Sequence, residues 1–243
     1  MRAAVCSDLH GNLEAVREIW NSFHDIDRIY CLGDLVGIGP NPREVMEIVL
    51  DDSRVRWVMG NHDINTREGT QLGPLQYVPR KPHHDWVREE IDDLLQELDA
   101  PMSITQEFSG KEIHFMHRHP DDCGSKVPYF DRPYPEVLDD FYSEVPGDIL
   151  MFGHTHIPLM VVGNTGRIYA NPGSVGAENG GISTYFVLDN DHDALSGMAL
   201  RKVRYDPEPV KMKLKRKNVP YRRFIIDHFF GSGSWVPSTV KDI

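Results

Sequence analysis

The amino-acid sequence predicts an α/β fold, and the order of its apolar segments is the main evidence. In the first 60 residues, short apolar runs alternate with stretches whose apolar residues recur at helical spacing. This alternation is typical of parallel strands that are connected by helices on the faces of a sheet. In the second half, apolar runs follow one another across short turns, which favours a second sheet of mixed or antiparallel strands. The 243 residues are enough for one large α/β domain.

Three short apolar runs in the first part predict strands over residues 2–7, 28–32 and 55–59. A helix is predicted after each of the first two strands. Asn12 is a preferred N-cap residue, and Asn41 precedes a proline at the first helical position. Each predicted helix has one apolar face, which we expect to pack on the sheet.

Two stretches rich in Pro and Gly, residues 64–83 and 121–135, are predicted to be long irregular segments. Segments of this length inside a compact domain are often functional, so we expect them to set substrate specificity. Between them, apolar periodicity predicts a helix over residues 85–98. A hairpin is predicted from strands over 102–108 and 112–117.

The remaining apolar runs predict five further strands, over residues 149–152, 160–162, 167–170, 183–188 and 198–205. The second and third of these are separated by a turn that predicts a hairpin. We therefore expect the α/β domain to span residues 1–205.

Residues 206–243 are predicted to form a C-terminal extension that packs on the domain and has a partly disordered end. Seven Lys and Arg residues lie between positions 211 and 223 of an otherwise acidic chain. This basic cluster is either a solvated helix face or a contact with an anion or a second subunit. A homo-oligomer is therefore one alternative.

The charge balance limits the classes of partner. The formal net charge is -11, from 26 Lys+Arg against 37 Asp+Glu, which disfavours a protein that binds duplex nucleic acid. No run of 18 apolar residues exists, so no membrane partner is expected. The N-terminal residues do not have the layout of a signal peptide, and a cytoplasmic location is therefore expected.

Polar residues with metal-binding side chains follow five of the predicted strands. Strand ends of an α/β sheet meet at one edge, and alternate residues leaving a strand point the same way, so we expect these side chains to converge. The candidate ligands are Asp8, His10, Asp34, Asn61, His117, His154 and His156.

This set of ligands predicts two transition-metal ions. Mixed imidazole, carboxylate and amide ligands suit first-row metals better than calcium. Seven ligands are too many for one four-coordinate zinc, but they suit two ions that share a bridging carboxylate. Two dications outweigh the charges of Asp8 and Asp34, which favours an anionic substrate despite the acidic chain.

The motifs resemble those of the calcineurin-like metallophosphoesterase superfamily, and specifically its small prokaryotic phosphodiesterases. The resemblance covers residues 1 to about 205 and rests on Asp8-x-His10, Gly33-Asp34, Gly60-Asn61-His62-Asp63, a lone strand-end His, Gly153-His154-Thr155-His156 and the segment Asn171-Pro172-Gly173-Ser174-Val175-Gly176.

The resemblance implies a four-layer α-β-β-α sandwich with two mixed sheets. It assigns Asp8, His10 and His156 to one ion. Asn61, His117 and His154 are assigned to the other ion, with Asp34 between the two. The metal is expected to be manganese, with iron, nickel, cobalt or zinc as alternatives.

The resemblance also implies that His62 contacts the substrate rather than a metal. As a protonated imidazole held by Asp63 or another carboxylate, His62 is predicted to act as a general acid on the leaving oxygen.

One segment departs from the phosphodiesterase pattern. Those proteins have Gly after the lone His, whereas this chain has His117-Arg118-His119. His117 and His119 are therefore alternative ligands, and we favour His117 because it directly follows the apolar strand. Arg118 either contacts a substrate phosphate or points to solvent.

Together these features predict a dinuclear metal-dependent phosphoesterase that hydrolyses a small phosphoester, with a nucleotide among the candidates. A phosphodiesterase is favoured over a protein phosphatase because the expected arginines near the second and third motifs are absent. The alternative is a catalytically inactive protein-binding scaffold with the same fold, which the complete ligand set disfavours.

Overall fold

Two five-stranded sheets form the centre of the protein. The computed structural model describes residues 1–69, 81–108, 110–119, 133–191 and 194–231. Within these residues the elements, in chain order, are β1 (Arg2–Cys6), α1 (Leu13–Asn21), β2 (Arg28–Cys31), α2 (Pro42–Asp51), β3 (Val55–Trp57), α3 (Asn61–Glu68), α4 (Lys81–Glu90), β4 (Ser103–Phe108), β5 (Lys111–Met116), α5 (Pro135–Phe141), β6 (Ile149–Phe152), β7 (Leu159–Val162), β8 (Ile168–Asn171), β9 (Ile182–Asp191), β10 (Ala194–Arg204), α6 (Glu208–Arg216) and α7 (Arg222–Phe229).

The first sheet has the strand order β10-β9-β1-β2-β3. Strands β1, β2 and β3 are parallel, as the alternation of strands and helices predicted. The long hairpin of β9 and β10 pairs antiparallel with the other edge of β1. The chain thus returns to its first sheet after it has built the second.

The second sheet has the order β4-β5-β6-β8-β7 and is mixed, as predicted. Strands β5, β6 and β8 are parallel, while β4 and β7 pair antiparallel at the two edges. Both predicted hairpins, β4 with β5 and β7 with β8, are present.

The layers follow from the period-two alternation of the strands. In β1, Ala3 and Val5 face a core between the two sheets, where the rings of Tyr30 and Phe115 stack with centroids 4.2 Å apart. Ala4 and Cys6 face the opposite side, where α1, α2, α4 and the C-terminal helices pack. Helix α5 covers the outer face of the second sheet. The result is the expected four-layer α-β-β-α sandwich.

Two predictions for the loops were wrong in part. The segment predicted to be irregular over 64–83 contains most of α3 and the start of α4. Pro82 lies in the first turn of α4, where a proline costs no hydrogen bond. Helix α4 ends at Glu90, before the predicted end, and a short 3-10 turn at Asp92–Leu94 follows. Residues 70–80 lie outside the described part of the chain.

The predicted loop over 121–135 lies almost entirely outside the described residues. Its last residue, Pro135, begins α5, which the sequence analysis did not predict. Proline is preorganised for the first helical position, so here it marks a helix start and not the end of a loop.

Helices α6 and α7 pack against the helical layer. Val210, Leu214 and Ile225 are buried in the same core as α1 and α2. The basic cluster contributes ion pairs to this contact, because Lys213 binds Glu14 of α1 and Lys217 binds Glu90 of α4, each at 2.5 Å. The end that was predicted to be partly disordered covers residues 231–243, of which 232–243 lie outside the described part of the chain. In the portion of the chain that is described, we find no helix with the length and apolar character that a membrane crossing requires.

Gly176, in the segment after β8, packs tightly against the turn that follows β1. Its backbone N–H donates to the Asp8 carbonyl at 2.9 Å, and Asn12 Nδ2 donates to the Gly176 carbonyl at 2.8 Å. A Cβ at this position would lie 1.8 Å from the Leu9 carbonyl oxygen. No side chain fits without moving the turn that carries Asp8.

We therefore expect Gly176→Ala to lower the free energy of unfolding by about 2–3 kcal/mol, because the clash is with backbone and not with a flexible side chain. Gly197→Ala is the matched control, since a Cβ there meets nothing closer than 4.0 Å. The control should change stability by no more than about 0.5 kcal/mol in urea denaturation. Equal stability of the two variants would contradict this account.

Candidate metal centre

All seven candidate ligands lie at the end of the sandwich where the parallel strands of both sheets finish. Asp8 and His10 follow β1, and Asp34 follows β2. Asn61 begins α3, which comes after β3. The second sheet supplies the other three residues, with His117 after β5 and the pair His154 and His156 after β6.

Five of the seven residues have left-handed backbone conformations. The φ angles are 56° for Asp8, 49° for His10, 52° for Asp34, 70° for His154 and 61° for His156. Asp8 and His10, and likewise His154 and His156, therefore converge through tight turns. The alternation of side chains along a strand, which was the basis of the prediction, does not explain their convergence. Non-glycine residues adopt this conformation at a cost of about 1 kcal/mol or more each, and they cluster at functional sites.

Hydrogen bonds between neighbouring turns hold these conformations. The backbone N–H of Asp8 donates to the Gly33 carbonyl at 3.0 Å, and that of His10 donates to the Asp34 carbonyl at 2.9 Å. Asp8 Oδ2 accepts a hydrogen bond from the backbone N–H of His154 at 3.1 Å. The turns of the two sheets are thus connected directly.

The first group of ligands comprises Asp8, His10 and His156. Asp8 Oδ1 lies 3.2 Å from His156 Nε2 and 3.6 Å from His10 Nε2. The two Nε2 atoms are 3.0 Å apart. Asp8 and His10 are completely buried. Three metal-ligating atoms of the residues assigned to one ion therefore face one point.

The second group is centred on His117. Its Nε2 lies 3.1 Å from Asn61 Oδ1 and 3.4 Å from Asp34 Oδ2, and its ring centroid is 5.3 Å from that of His154. Asp34 Oδ2 is also 3.8 Å from His10 Nε2 in the first group. Asp34 thus lies between the two groups, in the position that a bridging carboxylate needs.

Backbone carbonyls orient three of the imidazoles. Nδ1 of His10, His117 and His156 lies 3.3, 2.7 and 3.3 Å from the carbonyl oxygens of Val36, Leu32 and Ala177, respectively. A proton on Nδ1 that donates to a carbonyl leaves Nε2 unprotonated and directed at the centre. This is the usual arrangement of histidines that bind metals.

The buried carboxylates make the centre strongly favourable for positive charge. Burial alone would raise the pKa of Asp34, but His117, His62 and His10 hold that pKa well below its usual value. Burial would likewise lower the pKa of His117, yet Asp34 and Asp8 raise it to about 9. The pKa of Asp8 is also lowered, mainly by His156 and against the effect of burial.

These residues fit a pair of divalent transition-metal ions. Asp8 Oδ1 is buried and makes no hydrogen bond of normal geometry with a described residue, so one strong acceptor needs a cation. Ligating atoms that lie about 2 Å from one ion are about 3–3.5 Å from each other, and the separations in the first group, 3.0, 3.2 and 3.6 Å, are close to this range. Imidazole, carboxylate and amide donors match manganese, iron, cobalt, nickel or zinc.

His62 lies beside the candidate ligands and contacts a second histidine. Its backbone N–H donates to Asp34 Oδ1 at 2.8 Å, and its Nδ1 lies 3.3 Å from Nε2 of His84. Asp63 instead accepts hydrogen bonds from the backbone N–H groups of Gly60 and Val36, at 2.9 and 3.2 Å.

The prediction named Asp63 or another carboxylate as the partner of His62. Asp63 binds backbone N–H groups instead, whereas the carboxylate of Asp34 lies close to His62. A carboxylate at the third position of a helix turns back to cap its start. Burial and the charge of Asp34 raise the pKa of Asp63 to about 7. Asp63 thus supports the turn between β2 and α2 and the start of α3.

The structure distinguishes between the two histidines that follow β5. His117 joins the ligand cluster. His119 packs 4.5 Å from the ring of Phe141 and 5.5 Å from that of Tyr142, on the outer face of the second sheet. Arg118 is not among the described residues that line the adjacent cavity, so its predicted phosphate contact stays a prediction.

A cavity of about 290 Å³ opens beside the candidate ligands. Asp34, Asn61, His154 and His156 form one wall together with His62. The other walls come from α4, from the segment after β8 and from α7, and their residues were not predicted from the sequence. The adjacent histidines 83 and 84 were a usable signal, but they lay in a segment that was predicted to be irregular.

The sequence also matches known proteins. Residues 1–193 match the model of the calcineurin-like phosphoesterase superfamily domain. An uncharacterised protein of Methanocaldococcus jannaschii is 30% identical over 244 residues, which cover 89% of this chain and 93% of that protein.

Two further proteins are similar to this chain at lower sequence identity. A symmetrical bis(5'-nucleosyl)-tetraphosphatase of Proteus mirabilis is 23% identical over 167 residues, or 61% of this chain and 59% of that protein. The crystal structure of a hypothetical protein from Pyrococcus horikoshii superimposes with a TM-score of 0.81 at 20% identity, over 96% of this chain and 99% of that one. This likeness supports the fold.

If the two groups each hold one ion, Mn²⁺ at about 100 times its dissociation constant should raise the melting temperature by roughly 10–20 °C, because each ion binds only the folded state. Asp34→Asn should remove most of this shift, since it weakens both groups. Asp140→Asn, which alters an exposed carboxylate, should leave the shift unchanged. Elemental analysis should find about two metal equivalents in the control and fewer in Asp34→Asn. Metal-independent melting of the unsubstituted protein would refute the assignment.

Proposed function

This chain belongs to the calcineurin-like phosphoesterase superfamily, and we propose that it is a dinuclear metal-dependent phosphoesterase that hydrolyses a small phosphoester. The observation that carries the proposal is the convergence of seven candidate ligands, two of which are the buried carboxylates of Asp8 and Asp34. Asp8 Oδ1 faces two Nε2 atoms, and Asp34 Oδ2 lies between both ligand groups.

Asp8, His10 and His156 are assigned to one ion, Asn61, His117 and His154 to the other, and Asp34 to both. A bound pair of divalent ions supplies positive charge to the phosphoryl oxygens and activates water as the nucleophile. The carbonyl contacts of the imidazoles keep the Nε2 atoms directed at the centre. Hydrogen bonds between the turns hold the ligands in their left-handed conformations.

His62 is assigned to the leaving group. It lies at the edge of the ligand cluster and lines the cavity in which the ester would bind. Nδ1 is engaged by His84, so Nε2 is the nitrogen assigned to donate a proton to the oxygen that leaves phosphorus. His84 acts through His62 and is therefore a positioning residue.

Two features limit the substrate to a small molecule. The cavity, at about 290 Å³, is at the low end of the range for small-molecule sites, which is about 300–1,000 Å³. The net charge of -11 disfavours a long polyanion. The remote likeness to a bis(5'-nucleosyl)-tetraphosphatase keeps nucleotides among the candidates.

We expect metal-dependent release of p-nitrophenolate from bis-p-nitrophenyl phosphate, and slower release from p-nitrophenyl phosphate. Mn²⁺, Ni²⁺ and Co²⁺ should each be tested, and excess chelator should abolish the activity. The alternative function, a protein-binding scaffold, predicts no turnover with any of these ions. Absence of both turnover and bound metal would rule out the phosphoesterase.

The assignment of His62 predicts a dependence on the leaving group. His62→Ala should lower kcat by about 10²–10⁴-fold for phenyl methyl phosphate, whose leaving oxygen needs a proton. The loss should be much smaller for p-nitrophenyl methyl phosphate, because p-nitrophenolate leaves without one.

His84→Phe should give the same selectivity with a smaller loss, about tenfold, since the proton donor is retained but less well oriented. His84→Gln, which keeps a polar contact to His62, should restore part of the rate. His24→Ala, which changes an exposed histidine, is the matched control. Equal losses for both esters in the His62 variant would contradict the role of general acid.

A further inference from the structure

The cavity beside the candidate ligands is closed on one side by the C-terminal helix α7. The residues of this helix and its N-cap that line the cavity are Tyr221, Phe224, Ile225, His228 and Phe229. Ring contact continues from this wall to the candidate metal centre, because the centroid of Phe229 lies 6.2 Å from that of His156. A ligand bound through its phosphoryl group would therefore have α7 beside it.

The rings of this wall form an ordered aromatic surface. Phe224 and His228 stack with centroids 5.1 Å apart and planes inclined by 12°. Phe229 meets His228 edge-on at 4.9 Å and Phe224 edge-on at 6.5 Å. Phe224 is 46% exposed, although it is a large apolar side chain on a helix that is otherwise anchored in the core. Aromatic faces of this kind bind planar groups by stacking.

Buried polar atoms that make no hydrogen bond of normal geometry with a described residue border the same cavity. His83 is only 6% exposed, and neither of its ring nitrogens makes a hydrogen bond of normal geometry with a described residue. Burial and the neighbouring His84 lower the pKa of His83 to about 3, although the Pro220 carbonyl acts in the opposite direction. His83 is therefore neutral, with one donor and one acceptor.

Asn179 presents a further acceptor. Its Nδ2 donates to the His228 carbonyl at 3.1 Å, while its buried Oδ1 has no hydrogen bond with a described residue. Buried polar atoms normally have partners, so these groups indicate that the cavity takes a ligand with its own donors and acceptors.

The charges around the cavity define the ligand further. The described residues that line it include no Lys or Arg, and they include the carboxylate of Glu178, so this part of the lining disfavours a second phosphate. The aromatic wall and the hydrogen-bonding groups of His83 and Asn179 suit a planar heterocycle. The lack of Lys and Arg among the described lining residues, together with Glu178, favours a heterocycle without negative charge.

We propose that α7 and His83 form a subsite for the nucleobase of a nucleoside phosphoester, with Phe224 and Phe229 as the stacking surface. This inference rests on the proposed phosphoesterase function and specifies its substrate class. It also gives the C-terminal segment a role in substrate selection.

The subsite is tested first by direct binding, which requires no turnover. Adenosine and ribose are the probes, and calorimetry or ligand-detected NMR on the manganese-loaded protein gives the affinities. We expect adenosine to bind and ribose not to bind detectably. Phe224→Ala and Phe229→Ala should each weaken adenosine binding by about tenfold, as loss of one stacking contact does. Phe224→Tyr, which keeps the ring, should retain the affinity.

Met212→Ala is the matched control, because Met212 is an apolar residue of α6 that is 62% exposed and does not line the cavity. Phe224 is half-exposed, so its variants should fold, and circular dichroism checks this. Equal affinity for adenosine and ribose, or adenosine binding that survives both Phe→Ala changes, would overturn the subsite.

Kinetics provide the second test. Thymidine 5'-(p-nitrophenyl) phosphate and methyl p-nitrophenyl phosphate release the same group and differ in the group that is retained. Phe224→Ala should lower kcat/KM about tenfold for the thymidine ester and less than about twofold for the methyl ester. Similar losses for both would contradict recognition of the base.

The two proposals fail in different ways. If adenosine binding depends on Phe224 but neither ester is hydrolysed with metal, the phosphoesterase proposal is overturned and the base subsite is retained. Hydrolysis of both esters without adenosine binding would overturn the subsite and retain the phosphoesterase.

Discussion

The burial of two carboxylates at the seam between the sheets is the constraint on which the rest of this structure depends. Asp8 and Asp34 are 0% and 1% exposed. An unpaired buried carboxylate costs several kcal/mol, so neighbouring groups must offset its charge. Three imidazoles meet this need, because His10, His117 and His156 each turn one nitrogen to a backbone carbonyl and the other to the carboxylates. The same arrangement that stabilises the carboxylates presents a set of ligands for divalent ions.

Two glycines make that arrangement sterically possible. A Cβ on Gly60 would lie 2.1 Å from Asp34 Oδ1, and one on Gly153 would lie 2.0 Å from Ser7 Oγ. Each precedes a candidate ligand, so the Gly-Asn and Gly-His pairs of the motifs have a packing reason. The left-handed residues beside them store strain that the hydrogen bonds between turns must offset. Ligand geometry is thus a property of the joined turns and not of single residues.

The C-terminal helices α6 and α7 carry both the basic residues that pair with the domain and the aromatic residues that line the cavity. Lys213 and Lys217 reach back to Glu14 and Glu90, so part of the basic cluster is used to dock the helices on an acidic domain. Buried Ile225 and Phe230 anchor α7 in the same core as α1. A helix held in this way can present aromatic rings to the cavity without losing its position. The described part of the C-terminal segment therefore belongs structurally to the site, although it lies outside the motifs that define the ligands.

The sequence by itself determined the class of fold, the two mixed sheets and the identity of the polar residues at the strand ends. These features follow from local patterns: period-two and helical spacing, helix caps such as Asn12, and glycines beside ligands. It did not determine that Asp63 caps α3 while His84 contacts His62, because the two alternatives differ only in how α3 and α4 pack. Nor did it determine that β9 and β10 return to the first sheet, or that α7 lines the cavity. Those contacts join residues far apart in the chain, and only the packing of the complete core decides which distant segments meet.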